Sequence, residues 1–509
     1  MKISIMDTTL RDGEQTSGVS FSESEKLTIA RLLLEELKVD RIEIASARVS
    51  KGEFRGSQKI LDWAKEKGYL DRVEILGFVD GKESLNWIKQ SGGRVVNLLC
   101  KGSLKHCKQQ LKKSPQEHLD NITEVISNAA KMGITVNIYL EDWSNGMRNS
   151  SDYVYKMVEG LKDQKVNRIM LPDTLGILNH EETFYFCNEM TSRFPEVKFD
   201  YHGHNDYDLG TANVFAAIKA GIDTIHTTLN GLGERAGNVP LSSVIGVVKD
   251  HLGYEMSVDE EHLYPVCKLV ESFSGVRIPA NKPMIGEFVF TQTSGIHADG
   301  DNKDNLYHNS IKPERFGRKH QYALGKMSGK ANIKKNLEEL GIDLDNDSLK
   351  KVTERIIELG DKKETVTKED LPYIIADVLK SEKIETKIKI RNYSLSVAQG
   401  LRSVATLSIE IDGKSHESTA SGDGQYDAFM NALKKTYADL GKSCPSLIDY
   451  SVQIPPGGKT DALVETTITW DHGHHFKTRG LDSDQTIAAI KATIKMLNII
   501  ENGNNRNEL

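Results

Sequence analysis

Asp7-Thr8-Thr9-Leu10-Arg11-Asp12-Gly13-Glu14-Gln15 follows a short apolar run, and Phe199-Asp200-Tyr201-His202-Gly203-His204-Asn205-Asp206 repeats that design much later in the chain. In each, residues suited to a buried strand give way to residues with chemistry. The first stretch sets a carboxylate beside a guanidinium. The second offers two imidazoles at i and i+2, and successive strand side chains alternate faces, so both rings project from one side of the pleat. One oxygen donor and two nitrogen donors, with polar positions left for substrate, describe an open catalytic metal site rather than a closed structural one.

Working outward, short apolar runs recur at Ile3–Met6, Arg41–Ala45, Val73–Phe78, Val95–Cys100, Thr135–Leu140, Arg168–Leu171, Lys198–Tyr201 and Thr224–Leu229. The segments between them carry helical periodicity, as in Ile29, Leu32, Leu33 and Leu37, or Ile122, Val125, Ile126 and Ala129. Eight strand-helix alternations predict a (β/α)₈ TIM barrel within the α/β class. Periodicity alone also allows a doubly wound open sheet. The barrel is preferred because polar residues end many different strands: Arg11 and Asp12, Glu43, Glu141, Thr174, His202 and His204, Asn230. Active sites of that fold collect there.

The barrel is expected over residues 1–280. A Gly-, Asp- and Asn-rich stretch, Thr293–Tyr307, and basic Lys312–Lys330 open a lid or linker region, 281–385, whose helical part carries Leu337, Leu340, Leu349, Val352, Ile356 and Ile357 and ends in Leu371–Leu379. Charged Lys380–Lys389 reads as a linker. Residues 390–509 read as a C-terminal α+β regulatory domain, with strands at Ala405–Ile411, Asp449–Ile454 and Ala462–Trp470 and helices at Gly424–Leu440 and Asp484–Ile500. Strands followed by a helix occur twice, which suggests an internal duplication with a pocket between its halves.

A chain of 509 residues with net charge -7 and interspersed charges has no basic stripe, which argues against nucleic acid or an anionic membrane as partner. Its five cysteines show no CxxC spacing, as expected of thiols kept reduced in a cytosol. No window approaches a membrane span, and the first strand begins without a basic and apolar leader, so the expectation is a soluble cytoplasmic protein.

Leu10-Arg11-Asp12-Gly13-x-Gln15 with Lys26, the His202-x-His204-Asn-Asp signature and Gly231-Leu-Gly-Glu-Arg-Ala-Gly-Asn238 together resemble the 2-isopropylmalate, homocitrate and citramalate synthase family. The likeness continues through Gly295-Ile-His297-Ala-Asp299-Gly300, Gly422-Asp-Gly and Pro455-Pro-Gly-Gly, covering essentially the whole chain. The N-terminal motif alone is shared with acyl-CoA lyases and biotin-dependent carboxyltransferases. Asp208 departs from the pattern, standing where the family usually has Gly.

The resemblance implies an acyltransferase that condenses acetyl-CoA with a 2-oxo acid on a divalent ion (Mn, Mg, Co or Zn). The implied metal ligands are Asp12, His202, His204 and Asn238. Arg11 would meet a substrate carboxylate or developing alkoxide, and Thr174 would donate to the substrate carboxylate. Glu141 would be set against Arg11, orienting it or taking a proton, while His297 and Tyr307 would stand near the thioester; the base is open among these. Leu76, Leu99 and Tyr139 would form a tight apolar wall suited to pyruvate on a route to isoleucine, and 2-oxoisovalerate on a route to leucine is the alternative. For CoA, Arg315, Arg318, Lys319, Lys326 and Lys330 are basic candidates. The C-terminal domain would form a homodimer and bind isoleucine as feedback effector through Tyr426, Asp427, Tyr450 and Ile454.

Overall fold

The computed structural model describes all residues except 295, 298–299, 301–305, 307–308, 362–365, 380–386, 412, 454–463, 474 and 504–509. Two of the sequence candidates, Tyr307 and Ile454, lie outside the described residues. Eight parallel strands close into a barrel in chain order: β1 (Ser4–Asp7), β2 (Arg41–Ser46), β3 (Val73–Phe78), β4 (Val95–Lys101), β5 (Thr135–Glu141), β6 (Val166–Asp173), β7 (Phe199–Gly203) and β8 (Thr224–Thr227). Closure is made by β8 returning to β1, with Ser4 opposite Thr224 and Asp7 opposite Thr227. The open-sheet alternative is thereby eliminated.

The helices between strands start and stop where local chemistry says they should. Ser22 caps α1 (Glu23–Arg31), Ser114 caps α4 (Pro115–Met132) and Asn179 caps the helix His180–Arg193, each with a reciprocal Glu three residues on. Gly68, Gly92 and Gly133 end α2 (Lys51–Lys67), α3 (Glu83–Ser91) and α4 in the left-handed conformation. Their apolar faces, such as Ile122, Val125, Ile126 and Ala129, pack on the outside of the barrel in one continuous core.

The barrel interior is ionic toward the N-terminal ends of the strands. Arg41 reaches Glu74 at 2.6 Å and Asp200 at 2.5 Å, Arg168 donates to Asp200 at 2.5 Å, and His226 Nε2 lies 3.2 Å from the same carboxylate. Burial opposes the charge on Asp200, yet Arg41, His226 and Arg168 hold its carboxyl below the usual range. Buried charges survive here because each has a partner.

The chain divides into two compact units, Met1–Thr291 with His308–His320, and Gln292–Tyr307 with Gln321–Leu509. In the second unit, helices Lys330–Glu339, Asn346–Asp361 and Leu371–Leu379 enclose a small core of Ile333, Leu337, Leu349, Val352, Ile356 and Leu371. Two antiparallel three-stranded sheets follow. The first (Ile388–Ser396, Ser403–Ile411, Lys414–Gly422) leads into helix Gln425–Asp439, and the second (Ser446–Gln453, Val464–Asp471, His475–Asp482) into helix Gln485–Gly503.

The first strand of each sheet carries a register shift, at Ile390/Asn392 and at Leu447/Asp449, as a duplicated unit would. Strand Ile388–Ser396 begins inside the stretch read as a charged linker. Its sequence alternates Ile with Lys and Arg, so a strand with one solvated face resembled a linker. Lys414–Gly422 escaped notice for a similar reason, since most of its side chains face solvent. Across the described residues no helix is long and apolar enough to cross a membrane.

Candidate active site

After β1 the chain turns back on itself: the amides of Arg11, Asp12 and Gly13 all donate to the Thr8 carbonyl, at 3.1, 2.8 and 3.1 Å. This tight turn sets Arg11 and Asp12 at the C-terminal mouth of the barrel, both buried. From β7, His202 and His204 aim Nε2 at Asp12 Oδ2, at 3.2 and 3.7 Å. One ligand atom from each of Asp12, His202 and His204 lies within 4.8 Å of the others.

Asn238 joins this group through its backbone, which bridges to His204. Its loop leaves no room for side chains: a Cβ on Gly237, at φ +84°, would fall 1.9 Å from the Gly231 carbonyl oxygen, and one on Gly233 2.2 Å from Asn238 Nδ2. Asn238 Nδ2 donates to the Leu232 carbonyl at 3.2 Å. Asn238 Oδ1 and Asp12 Oδ1 are buried without a hydrogen-bond partner among the described residues. Two orphaned oxygens beside two imidazole nitrogens form a donor set that suits a divalent cation.

Electrostatics fit the same use. Burial resists ionisation of Asp12, but Arg11 and the two histidines hold its carboxyl far below the ordinary range. Burial pushes the His204 imidazole down to about 4 and the His202 imidazole below its usual value, against the pull of Asp12. Neutral imidazoles and an ionised carboxylate are the states that ligate metals.

Arg11 is oriented by Glu43 on the adjacent strand β2, with Nε donating to Oε2 at 2.5 Å. The other Glu43 oxygen accepts from Asn97 Nδ2 at 2.7 Å, and Asn97 Oδ1 accepts from Asn137 Nδ2 at 2.8 Å. One guanidinium nitrogen of Arg11 remains without a partner among the described residues. Beside it, Leu76, Leu99 and Tyr139 form one cluster with Met6 and Met170. The Tyr139 ring stands 5.5 Å from that of His202 and 5.9 Å from the Arg11 guanidinium.

Three family descriptions match successive parts of the chain: HMGL-like over residues 2–270, homocitrate synthase post-HMGL domain-like over 284–364, and LeuA allosteric (dimerisation) domain over 365–501. The chain belongs to the 2-isopropylmalate, homocitrate and citramalate synthase family. It is 32% identical over 505 residues to the (R)-citramalate synthase CimA of Methanocaldococcus jannaschii, covering 99% of this chain and 100% of that one. It is also 32% identical over 506 residues to the 2-isopropylmalate synthase of the same organism, covering 98% and 95%. A protein described as "Probable 2-isopropylmalate synthase" from Methanopyrus kandleri is 34% identical, with 98% of each chain covered. Whole-chain similarity therefore does not separate citramalate synthases from 2-isopropylmalate synthases.

Within this family member, one expected pairing is corrected. Glu141 does not contact Arg11; it pairs with Lys101, its register neighbour on β4. Barrel order explains the exchange, because β2 flanks β1 and brings Glu43 next to Arg11, whereas β5 does not. Glu43 also ends a strand in the sequence, and adjacency of β1 and β2 in the barrel selects it. Lys101, Asn97, Met6 and Met170 were not singled out in the sequence, though their inward position follows from strand alternation.

Thr174 Oγ1 accepts from the Asp142 amide at 2.9 Å, so its own hydroxyl proton is available to an incoming oxygen. Arg235 ties the surrounding loops together, donating to both oxygens of Asp206 at 2.7 and 3.0 Å and to the Thr174 carbonyl at 2.7 Å. Asp208, the departure from the family pattern, has φ +58°, a conformation glycine adopts freely. Its side chain accepts from Asn205 Nδ2 at 3.1 Å.

In the second unit, His297 lies on an exposed helical turn. Tyr426, Asp427 and Tyr450 come together with Gln425, Leu447 and Thr486 around a cleft of about 510 Å³ between the two repeats. Thr486 donates to Gln425 Oε1 at 3.0 Å across that seam, and Tyr426 shares a 2.7 Å hydrogen bond with Thr493. The basic candidates for CoA are largely committed elsewhere. Arg315 binds Glu260 and Asp250, Lys326 pairs with Asp361, and Arg318 stacks over Tyr264 and Phe290.

Proposed function

We propose that this chain condenses acetyl-CoA with pyruvate and hydrolyses the thioester, giving (R)-citramalate and CoA. The observation that carries the choice of keto acid is the cluster of Met6, Leu76, Leu99, Tyr139 and Met170 beside the donor set. Such an apolar wall, with Leu76 only 6% exposed, supports a methyl-bearing keto acid over the branched side chain of 2-oxoisovalerate.

A divalent ion held by Asp12, His202, His204 and Asn238 would polarise the keto carbonyl and template the keto acid. Arg11, fixed by Glu43, presents its unpartnered nitrogen to the oxygen that gains negative charge as the carbon-carbon bond forms. Thr174 donates its hydroxyl to the substrate carboxylate. Proton removal from the acetyl methyl group falls to His297 with Tyr307, on the strength of the family pattern. Glu141, already engaged by Lys101, fits a supporting role better than that of base.

The match to a LeuA allosteric (dimerisation) domain supports a homodimer and an effector site. The cleft at the repeat seam combines apolar Leu447 and two tyrosines with the Asp427 carboxylate, which suits isoleucine as feedback inhibitor. The decisive experiment measures acetyl-CoA-dependent thiol release with pyruvate against 2-oxoisovalerate, before and after removal of divalent ions. The reading predicts higher kcat/KM on pyruvate and loss of turnover on chelation. Faster use of the branched acid would assign the chain to 2-isopropylmalate synthesis, and metal-independent turnover would overturn the mechanism.

A further inference from the structure

A second cleft, of about 820 Å³, opens between the N-terminal ends of α2 and α3. Both helices begin just after the C-terminal ends of their strands, β2 and β3, so the cleft lies on the same face of the barrel as Arg11, Glu43 and the metal-site side chains. Its size is in the range of small-molecule sites. Phe54 and Trp87 meet edge to face at 5.3 Å on its wall, each half-buried, leaving ring surface toward solvent.

Around this aromatic pair stand Arg48, Lys51 and Arg55, against a single lining carboxylate, Glu83. Arg48 pairs with Asp80 at 2.8 Å and Arg55 with Glu23 at 2.5 Å, while Glu23 is shared with Lys59. Lys51 has no ion-pair partner among the described residues. An aromatic platform for a planar base beside cations for phosphate is the chemistry of a nucleotide phosphate site.

We infer that the cleft between α2 and α3 receives the adenosine 3′,5′-bisphosphate end of CoA, with the base on Phe54 and Trp87 and the phosphates beside Lys51, Arg48 and Arg55. This rests on acetyl-CoA as co-substrate. The nucleotide would lie on the active-site face, from which a pantetheine arm can extend toward Arg11. Arg315, one of the basic candidates in the sequence, is excluded by position. Its partner Glu260 belongs to the segment whose Glu255 pairs with Lys2 and whose Ser257 bonds Asp40 ahead of β2, at the opposite end of the barrel.

The test titrates the full-length protein with adenosine 3′,5′-bisphosphate and follows tryptophan fluorescence. Saturable quenching is expected, with the signal lost in Trp87→Phe and the apparent Kd raised about tenfold in Lys51→Glu, a difference of about 1.4 kcal/mol. In turnover, Lys51→Glu should raise KM for acetyl-CoA about tenfold while KM for acetyl-pantetheine and for the keto acid stay put. Absence of quenching, quenching that persists in Trp87→Phe, or an unchanged KM for acetyl-CoA in Lys51→Glu would overturn the assignment. A chain that binds the bisphosphate but condenses no keto acid would retain the cleft and sink the proposed reaction. Condensation with equal KM for acetyl-CoA and acetyl-pantetheine would sink the cleft alone.

Discussion

The barrel and the C-terminal repeats bury different things. Inside the barrel, Arg41, Asp200 and Arg168 form one bonded group and Glu43, Asn97 and Asn137 another, and at the mouth Arg11, Asp12 and Asn238 keep buried polar atoms without partners among the described residues. Inside the repeats, Ala405, Leu407, Ile409, Phe429, Ile468 and Trp470 form an apolar core, and the cleft opens at the seam between the two halves. Polar burial demands partners and so advertises what is missing; apolar burial serves cohesion and leaves chemistry to the seam.

If that contrast holds, changes in the two regions should fail in different currencies. The largest effect is expected from Asp12→Asn, which should lower kcat/KM about 10³-fold and abolish stoichiometric metal uptake, read by elemental analysis of the purified protein, with the fold intact by circular dichroism. Trp470→Ala should do the reverse. Removing this fully buried indole, whose Nε1 bonds Thr478, should cost about 3–5 kcal/mol in denaturant unfolding of the repeats while turnover without effector persists. A collapse of basal turnover in Trp470→Ala would break the contrast.

Glu43→Gln against Glu141→Gln sharpens it further. Freeing Arg11 from its buried partner should reduce kcat/KM about 10²-fold, while Glu141→Gln, which releases only Lys101, should cost less than tenfold. Equal losses would restore Glu141 to the role first expected of it. A pH-dependent effect concerns His118, whose Nε2 accepts from the Lys101 amide at 3.1 Å and whose imidazole burial pushes down to about 4. The unfolded chain binds a proton there near pH 6.5 and the folded one does not. Stability from this group is therefore complete above pH 6.5 and falls as pH drops toward 4, by up to about 1.4 kcal/mol per pH unit. Unfolding curves from pH 7 to 4.5 should show that slope, reduced in His118→Gln.

Much of the barrel was legible because βα alternation writes itself in periodicity: all eight runs became strands, and the caps Ser22, Ser114 and Asn179 sit where the pattern starts. The convergence of Asp12, His202 and His204 was legible because these residues stand in motifs. What sequence did not disclose was lateral order. Whether Arg11 meets Glu43 or Glu141 depends on which strands are neighbours, and that follows only once the sheet is closed. Likewise Ile388–Ser396 hid behind its charges, because a strand with one wet face differs little in composition from a tether.

The amide chain beneath Arg11 has a sense of travel. Asn137 gives a hydrogen to Asn97, Asn97 gives one to Glu43, and Glu43 receives from Arg11 as well. Every amide is thereby locked in one orientation, since turning either over would set nitrogen against nitrogen or oxygen against oxygen. Aspartate at position 97 is nearly isosteric with the residue it would replace, yet it would confront Glu43 with a second acceptor. The barrel would then have to admit a proton or let go of its arginine.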